Sequence, residues 1–413
     1  MAQAVRGIIF PLPAGEFMPV LLFVVFIDLV GFGIVIPLLP FYAEHFGASP
    51  VVVTLMMASY SAAQFATAPF MGQLSDRFGR RRIILLSLIG SAAGYALMAY
   101  ADSLAMLIAA RVLAGAMAGN IAAAQAYIAD VTTTENRARG MGLFGAAFGL
   151  GFIAGPFLGG TLAGFGPDAV NFTLPPLAAS ATSILAAGLA LVFLKEPIRE
   201  TALPETGAPD LGRWFGPIAA ALARPGLAGL VIVFFLVVFA FSGLETTFAL
   251  WAERQMSWGP SEVGTMFAGV GVVAVIVQGG LIGPLTRRLG EDRVLLTGVV
   301  SLAAGFVLLP TATNLVVVML AMALLAAGFS LANPSLNSLV SRNADQARQG
   351  AALGVAQSAA SLARIFGPIA AGILFTVGGR ALPYFASAAI LIAVGIALWR
   401  RGRRAVLSSQ KNP

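Results

Sequence analysis

Residues 72–86 read GQLSDRFGRRRIILL and residues 283–296 read GPLTRRLGEDRVLL. Shifted by 211 positions, Gly72 falls on Gly283, Leu74 on Leu285, Arg77 on Arg288, Gly79 on Gly290 and Arg82 on Arg293. A second pattern repeats at almost the same offset: a shift of 212 places Gly142 on Gly354 and Gly155-Pro156 on Gly367-Pro368. Unrelated motifs do not share an offset by accident, so the chain reads as a duplication. Each copy of the basic segment follows one long apolar run and precedes another.

Those runs settle the solvent. Of the 413 residues 58% are hydrophobic and 10% charged, with a mean hydropathy of +0.89, against about 45–50% and about 25% in a soluble domain. Lipid is the medium that accepts such a surface. The apolar runs are continuous rather than alternating, which favours helices over a membrane barrel. The 47 glycines show no Gly-X-Y period. At roughly 20–25 residues per span, the chain holds twelve apolar segments, the first over 17–41 and the last over 382–400. The first is too long for a cleavable signal, contains Asp28 and runs into Pro37 and Pro40.

Charge orients these segments. Of 25 Lys and Arg, 21 fall at the N-terminus, in the loops after even-numbered spans, or in the tail from Arg400 to Lys411. By the positive-inside rule both termini are cytoplasmic, which predicts a multi-pass protein of a bacterial-type inner membrane. The net charge of +7 faces anionic headgroups and needs no nucleic acid. With no Cys and the single His45, neither a metal site nor thiol chemistry is expected. No Walker loop is present. The reading is a non-enzyme without cofactors.

The predicted fold is all-α and integral to the membrane, with twelve transmembrane helices in two pseudo-symmetric six-helix bundles. The first bundle covers 1–194 and the second, with its tail, 226–413. A Pro- and charge-rich cytoplasmic linker lies between them at 195–225. Duplicated halves of this kind belong to secondary transporters whose site lies at the repeat interface.

Four motifs carry a resemblance to a family. The Gly72–Arg82 segment resembles the signature loop of the major facilitator superfamily. Arg111-Val-Leu-Ala-Gly115-Ala-Met-Ala-Gly119 resembles the fourth-helix motif of its drug/proton antiporters. Gly151-Phe-Ile-Ala-Gly155-Pro156-Phe-Leu-Gly159-Gly160 resembles their fifth-helix motif, and Asp28–Pro40 their first helix. The similarity spans nearly the whole chain and is closest to the tetracycline-resistance-like branch. It implies alternating access and proton-coupled export of a lipophilic or amphiphilic compound. An exporter of a metabolite, sugar or lipid on the same fold is the alternative. The branch's tetracycline exporters carry acids in helices 3 and 9 and a histidine in helix 8. By register these fall on Gly94, Ser301 and Ala274, while Gln278 matches. The expected partners are a small lipophilic substrate, protons and the bilayer, with the chain acting as a monomer.

Site residues follow from cost. A charge at mid-bilayer costs about 2.5–3.5 kcal/mol on insertion scales, and taking up a proton reduces that cost. Asp28 in span 1 is therefore the leading candidate for proton coupling, against a structural hydrogen bond or an ion pair with Arg111. Arg111 in span 4 either holds that acid ionised or snorkels to headgroups. Glu245 in span 7 is the second acid, for a proton or a cationic substrate, with Arg364 as its candidate counter-ion. The resemblance makes Gly72, Asp76, Arg77, Gly79, Arg80 and Asp130 a cytoplasmic gating latch in which Asp76 also faces the start of helix 11. Its repeat in the second half exchanges charges, Asp76 becoming Arg287 and Arg80 becoming Glu291. The antiporter glycines, with Gly145 and Gly149 ahead of Gly151, Gly155, Pro156 and Gly159, have spacings that let helices pack closely. The amides Gln64, Asn120, Gln125, Gln278, Asn333, Asn337 and Gln357 are candidates for the substrate cavity, each equally able to bridge helices. Trp251 is expected at the lipid interface, and His45 at the surface.

Overall fold

The computed structural model describes residues 17–132, 134–164, 170–197, 225–344 and 349–410. Most of the expected linker, 198–224, lies outside these residues, as does Lys411. Twelve helices are long and apolar enough to cross a membrane. In the first half they are α1 Met18–His45, α2 Pro50–Phe78, α3 Arg80–Ala99, α4 Leu104–Val131, α5 Gly140–Ala163 and α6 Leu174–Phe193. In the second they are α7 Gly226–Met256, α8 Pro260–Leu289, α9 Glu291–Thr311, α10 Leu315–Arg342, α11 Gln349–Gly378 and α12 Leu382–Arg401. The twelve spans of the sequence reading are thus recovered.

Local chemistry explains the interruptions. Within α1 the first helical stretch ends at Val35 and a second begins at Leu39, with Pro40 in its first turn. Pro37 and Pro40 lack the N–H that a continuous helix needs. Within α4 the helix stops at Ala116 and restarts at Asn120, across the Gly115-Ala-Met-Ala-Gly119 motif. At Gly115 a Cβ would run into the backbone carbonyl of Tyr60 in α2, so the glycine sets how near α2 lies to α4. Inside α8, residues Val277–Leu281 form a π-helical turn, a geometry that recurs at functional sites.

The two halves pack by one plan. Helix α5 lies on α1 as α11 lies on α7, and α3 on α4 and α6 as α9 on α10 and α12. Two further pairs, α2 with α11 and α5 with α8, join one half to the other. Backbone meets backbone at the glycines. A Cβ on Gly155 would lie 2.6 Å from the Cα of Gly33 and 2.7 Å from the carbonyl oxygen of Val30. Gly159 similarly abuts the Ile34 carbonyl in α1, and its repeat neighbour Gly367 abuts the Phe239 carbonyl in α7.

The joints between halves are uneven along the membrane normal. On the face opposite the arginine-rich loops they are closed: Gly160 meets Pro260 and Gly264, Thr54 meets Gly372, and Arg254 lies 2.7 Å from Glu44. Toward the arginine-rich face they separate. At Gly72 in α2, Gly145 in α5, Gly279 in α8 and Gly354 in α11, a Cβ would meet nothing within 4 Å. The molecule is therefore open between its halves toward the arginine-rich face.

Candidate functional site

The buried polar residues gather where α1, α2 and α4 meet. Asp28 is 8% exposed and accepts a hydrogen bond to its Oδ2 from the amide of Asn120, itself 7% exposed. Asn120 is the first residue after the break in α4, so the glycine motif points its side chain across to α1. A carboxyl held at mid-membrane by a neutral amide is stable as the acid and costly as the anion.

Arg111 does not pair with Asp28 in this structure. Its guanidinium is buried at 3% exposure and stacks 4.5 Å from the centre of the Tyr60 ring, with Nε and Nη1 lacking any hydrogen-bond partner. Both expectations, counter-ion to Asp28 and snorkelling to headgroups, are corrected. The reason is the near approach of α2 that Gly115 permits, which brings the Tyr60 ring over the cation. Two guanidinium nitrogens left without partners in a buried site are costly.

Tyr60 lies at the joint with the second half. It stands within electrostatic range of Arg111, Asp28 and Arg364. Arg364 donates to Ser361 at 3.2 Å and acts on Glu245 without a direct ion pair to it among the described residues. From Tyr60 a ladder of half-buried rings runs along α1 and α5: Phe32 at 5.3 Å, Phe152 at 6.0 Å from Phe32, and Phe148 at 5.0 Å from Phe152. In the second half Phe241 and Phe329 stack at 4.0 Å. The site joins a few titratable groups to an aromatic wall.

The candidate amides divide. Gln64 reaches the Ala118 carbonyl at 3.5 Å, Gln278 the Ser330 hydroxyl at 3.3 Å, and Asn337 the Asn333 carbonyl at 3.1 Å. Gln357 reaches Asn337 at 3.4 Å. These bridge or brace helices, while Gln125, Gln278 and Gln357 also keep exposed side chains and Asn333 is half-buried.

The latch is assembled. Arg80 lies 2.6 Å from Asp76 and 3.1 Å from Asp130. Gly79 has a φ of 105°, and where its Cβ would stand lies the carboxylate of Glu196, 2.6 Å away. That carboxylate accepts from the backbone N–H groups of Arg80 and Arg81 and so caps the start of α3. Arg81 donates in turn to the carbonyls of Ala190 and Leu191, and Tyr127 to that of Lys195 at 2.7 Å. In the second half Glu291 accepts from Ser338 at 2.6 Å and lies 3.1 Å from Arg342.

Sequence reasoning missed three participants. Tyr60 reads as an ordinary core ring. Glu196 sits in a charged stretch with no motif. The Glu44–Arg254 pair had a signal: Arg254 and Arg380 are the only basic residues in the loops opposite the arginine-rich face, so an acid beside one of them is the expected partner. Trp251, expected at the interface, is instead 0% exposed, with its ring 6.0 Å from Phe248 and 6.4 Å from Tyr384. It fills the core of the second half. His45 is exposed, as expected, with its ring against Phe46 and Phe172.

A duplicated twelve-helix protein with buried charges between its halves is a membrane transporter by architecture. The family model of the Major Facilitator Superfamily matches residues 21–365 and 230–413. The chain belongs to that superfamily. It is 33% identical to the tetracycline resistance protein, class C, of Escherichia coli, over 93% of this chain and 96% of that one. It is 29% identical to multidrug resistance protein 2 of Bacillus subtilis (strain 168), over 92% and 94% of the two chains. Among solved structures, the human organic anion transporter MFSD10 (TETRAN) superposes with a TM-score of 0.72 at 26% identity, covering 94% of this chain and all of that one.

Proposed function

We propose that the chain is a proton-coupled exporter of lipophilic or amphiphilic small molecules that works by alternating access. It lies in a plasma membrane with both termini and the arginine-rich face in the cytoplasm. The relatives named above are resistance proteins, which favours a foreign compound over a metabolite, sugar or lipid. The cytoplasm-facing opening admits such a compound, and the Phe32, Phe152 and Phe148 ladder gives it an apolar wall.

The observation that carries the reading is Asp28: an acid 8% exposed inside a span, held by an amide and not by a cation. Such an acid is neutral when occluded and ionises when water reaches it. Arg111, unpaired and a short distance beyond Tyr60, is the group that holds the ionised form. Glu245 with Arg364 supplies a second acid for a proton or a charged substrate. The latch at Asp76, Arg80 and Asp130 sets the cytoplasmic gate. Where tetracycline exporters carry acids, Gly94 packs against Ala114 and Ser301 donates to the Leu324 carbonyl at 2.8 Å. Those positions serve packing here, which supports a compound other than tetracycline.

The test is efflux from proteoliposomes under an imposed pH gradient. Asp28→Asn mimics the permanently protonated acid and should abolish uphill efflux while allowing downhill exchange. Full gradient-driven transport by Asp28→Asn removes it as the coupling acid and leaves Glu245 as the next candidate.

A further inference from the structure

The contacts that shut the outer face are of two kinds. Where α5 meets α8 and α2 meets α11, glycines and small side chains touch, and nothing there titrates. Where α1 meets α7, the contact is ionic. Of the ion pairs between described residues, only Arg254–Glu44, at 2.7 Å, crosses from one half to the other. Glu44 also lies within hydrogen-bonding reach of the Glu253 carboxyl. Two carboxyls from opposite halves thus meet with one guanidinium between them.

We propose that Glu44, Glu253 and Arg254 form a proton-operated clasp on the outer gate, closed when the two carboxyls share a proton taken from outside. The charge count gives the sign. With one proton shared, a single negative charge faces Arg254, and the carboxyls attract through a hydrogen bond. With that proton lost, two carboxylates face each other and one of them has no cation. Burial makes such repulsion stronger than it would be in water.

The surroundings leave this balance to the three groups. From α7 only Glu253 and Arg254 act on Glu44. Arg254 is fixed from behind, its carbonyl accepting from Arg380 at 2.9 Å and its guanidinium lying 5.0 Å from the Phe375 ring. His45, beside Glu44 on its own helix, turns to Phe46 and Phe172 instead.

The direction suits an exporter. After substrate leaves, protons outside close the outer gate and return the molecule to its cytoplasm-facing state. This proton enters and leaves on the outside, so it gates the cycle and adds nothing to the transported stoichiometry. The inference rests on the alternating access proposed above, but not on the substrate or on Asp28.

The chain has no cysteine, so spin labels on Ser49→Cys and Thr313→Cys read the gate. Both residues are exposed on the outer face, one in each half. Distances are measured on the full chain in nanodiscs without substrate, between about pH 5.5 and about pH 8.5. The short distance should dominate at the acidic end, and the closed-to-open ratio should fall by up to about tenfold per pH unit through the transition. Glu253→Gln offers an amide N–H in place of the shared proton and should hold the short distance at every pH. Glu44→Lys, placed against Arg254, should favour the long one throughout. A pH response that persists unchanged in Glu253→Gln overturns the clasp and leaves alternating access standing. One unvarying distance in the parent chain and in Glu44→Lys overturns both. Export that ignores a proton gradient would refute the coupling reading yet leave a positive result here intact.

Discussion

In the first half Arg80 lies 2.6 Å from Asp76 and 3.1 Å from Asp130; in the second, Arg342 lies 3.1 Å from Glu291. These are equivalent corners of the duplicated plan, since Arg80 falls on Glu291 at a shift of 211 and Asp130 on Arg342 at 212. The charges have exchanged places and the contact has survived. Deeper in the membrane nothing comparable survives. At a shift of 212, Asp28, Arg111 and Asn120 fall on Ala240, Ala323 and Ala332, while Glu245 and Arg364 fall on Gly33 and Phe152. The backbone contacts of Gly155 and Gly367 are shared by both halves. The fold thus needs its glycines twice and each interior charge once, which separates structural residues from candidate functional ones.

The comparison is broken most forcefully at the glycines. Gly159→Val places side-chain carbons into the Ile34 carbonyl, and Gly367→Val into that of Phe239. Each should cost about 3 kcal/mol or more, because backbone does not yield as a side chain does. Gly145→Ala, which meets open space, should stay within about 0.5 kcal/mol. Thermal unfolding in detergent separates the two classes, and equal losses would refute the packing account.

The next effect is smaller and opposite in sign. Arg111→Met removes a buried cation with two unpartnered nitrogens. Stability should rise by about 1 kcal/mol while proton-driven efflux falls. A destabilised variant would mean that the guanidinium has a partner in the resting state.

Exposed latch charges contribute less, about 0.2–1 kcal/mol per pair, and their effect should appear in the gate. Arg80→Glu alone should weaken the cytoplasmic closure. The triple change Asp76→Arg, Arg80→Glu, Asp130→Arg reproduces the order of Arg287, Glu291 and Arg342, and should recover it. Cross-linking rates between cysteines on the cytoplasmic ends of α2 and α11 measure this. Failure of the triple variant would show that charge order, not pairing, matters.

The smallest expected effect is at Glu196. Replacing it by Gln keeps a cap on α3 and loses its charge, at about 0.5 kcal/mol. No equivalent is expected at Gly290, whose φ is 79° but whose surroundings are open. Comparing the melting of Glu196→Gln with that of the parent chain tests whether only the first half depends on this cap.

Much of this was legible in the sequence, for physical reasons. Continuous apolar runs count spans because lipid imposes their length, and the offset between Gly72 and Gly283 exposed the duplication. The close approach of α5 to α1 could be read from the spacing of Gly151, Gly155 and Gly159. Pairings across helices could not. Asp28 and Arg111 looked like partners because both are charged and membranous. Their separation depends on Tyr60 arriving over the guanidinium, a matter of helix rotation that spacing does not encode. Trp251 looked interfacial from its place near a helix end, yet α12 covers it through Tyr384. Glu196 was hidden because its targets are backbone amides, which have no signature in side-chain types.

The aromatic wall and exposed amides stand apart from the glycine joints that hold α1 to α5 and α7 to α11. Gln125, Gln278 and Gln357 keep exposed side chains, whereas Gly155 and Gly367 each touch a neighbouring backbone. Inheritance can therefore act on the two sets separately. Single changes at the amides or at Phe32, Phe148 and Phe152 can redraw the range of compounds accepted while the rocking machinery passes unaltered from parent to descendant. A protein built this way evolves new specificities in small viable steps, one lining residue at a time.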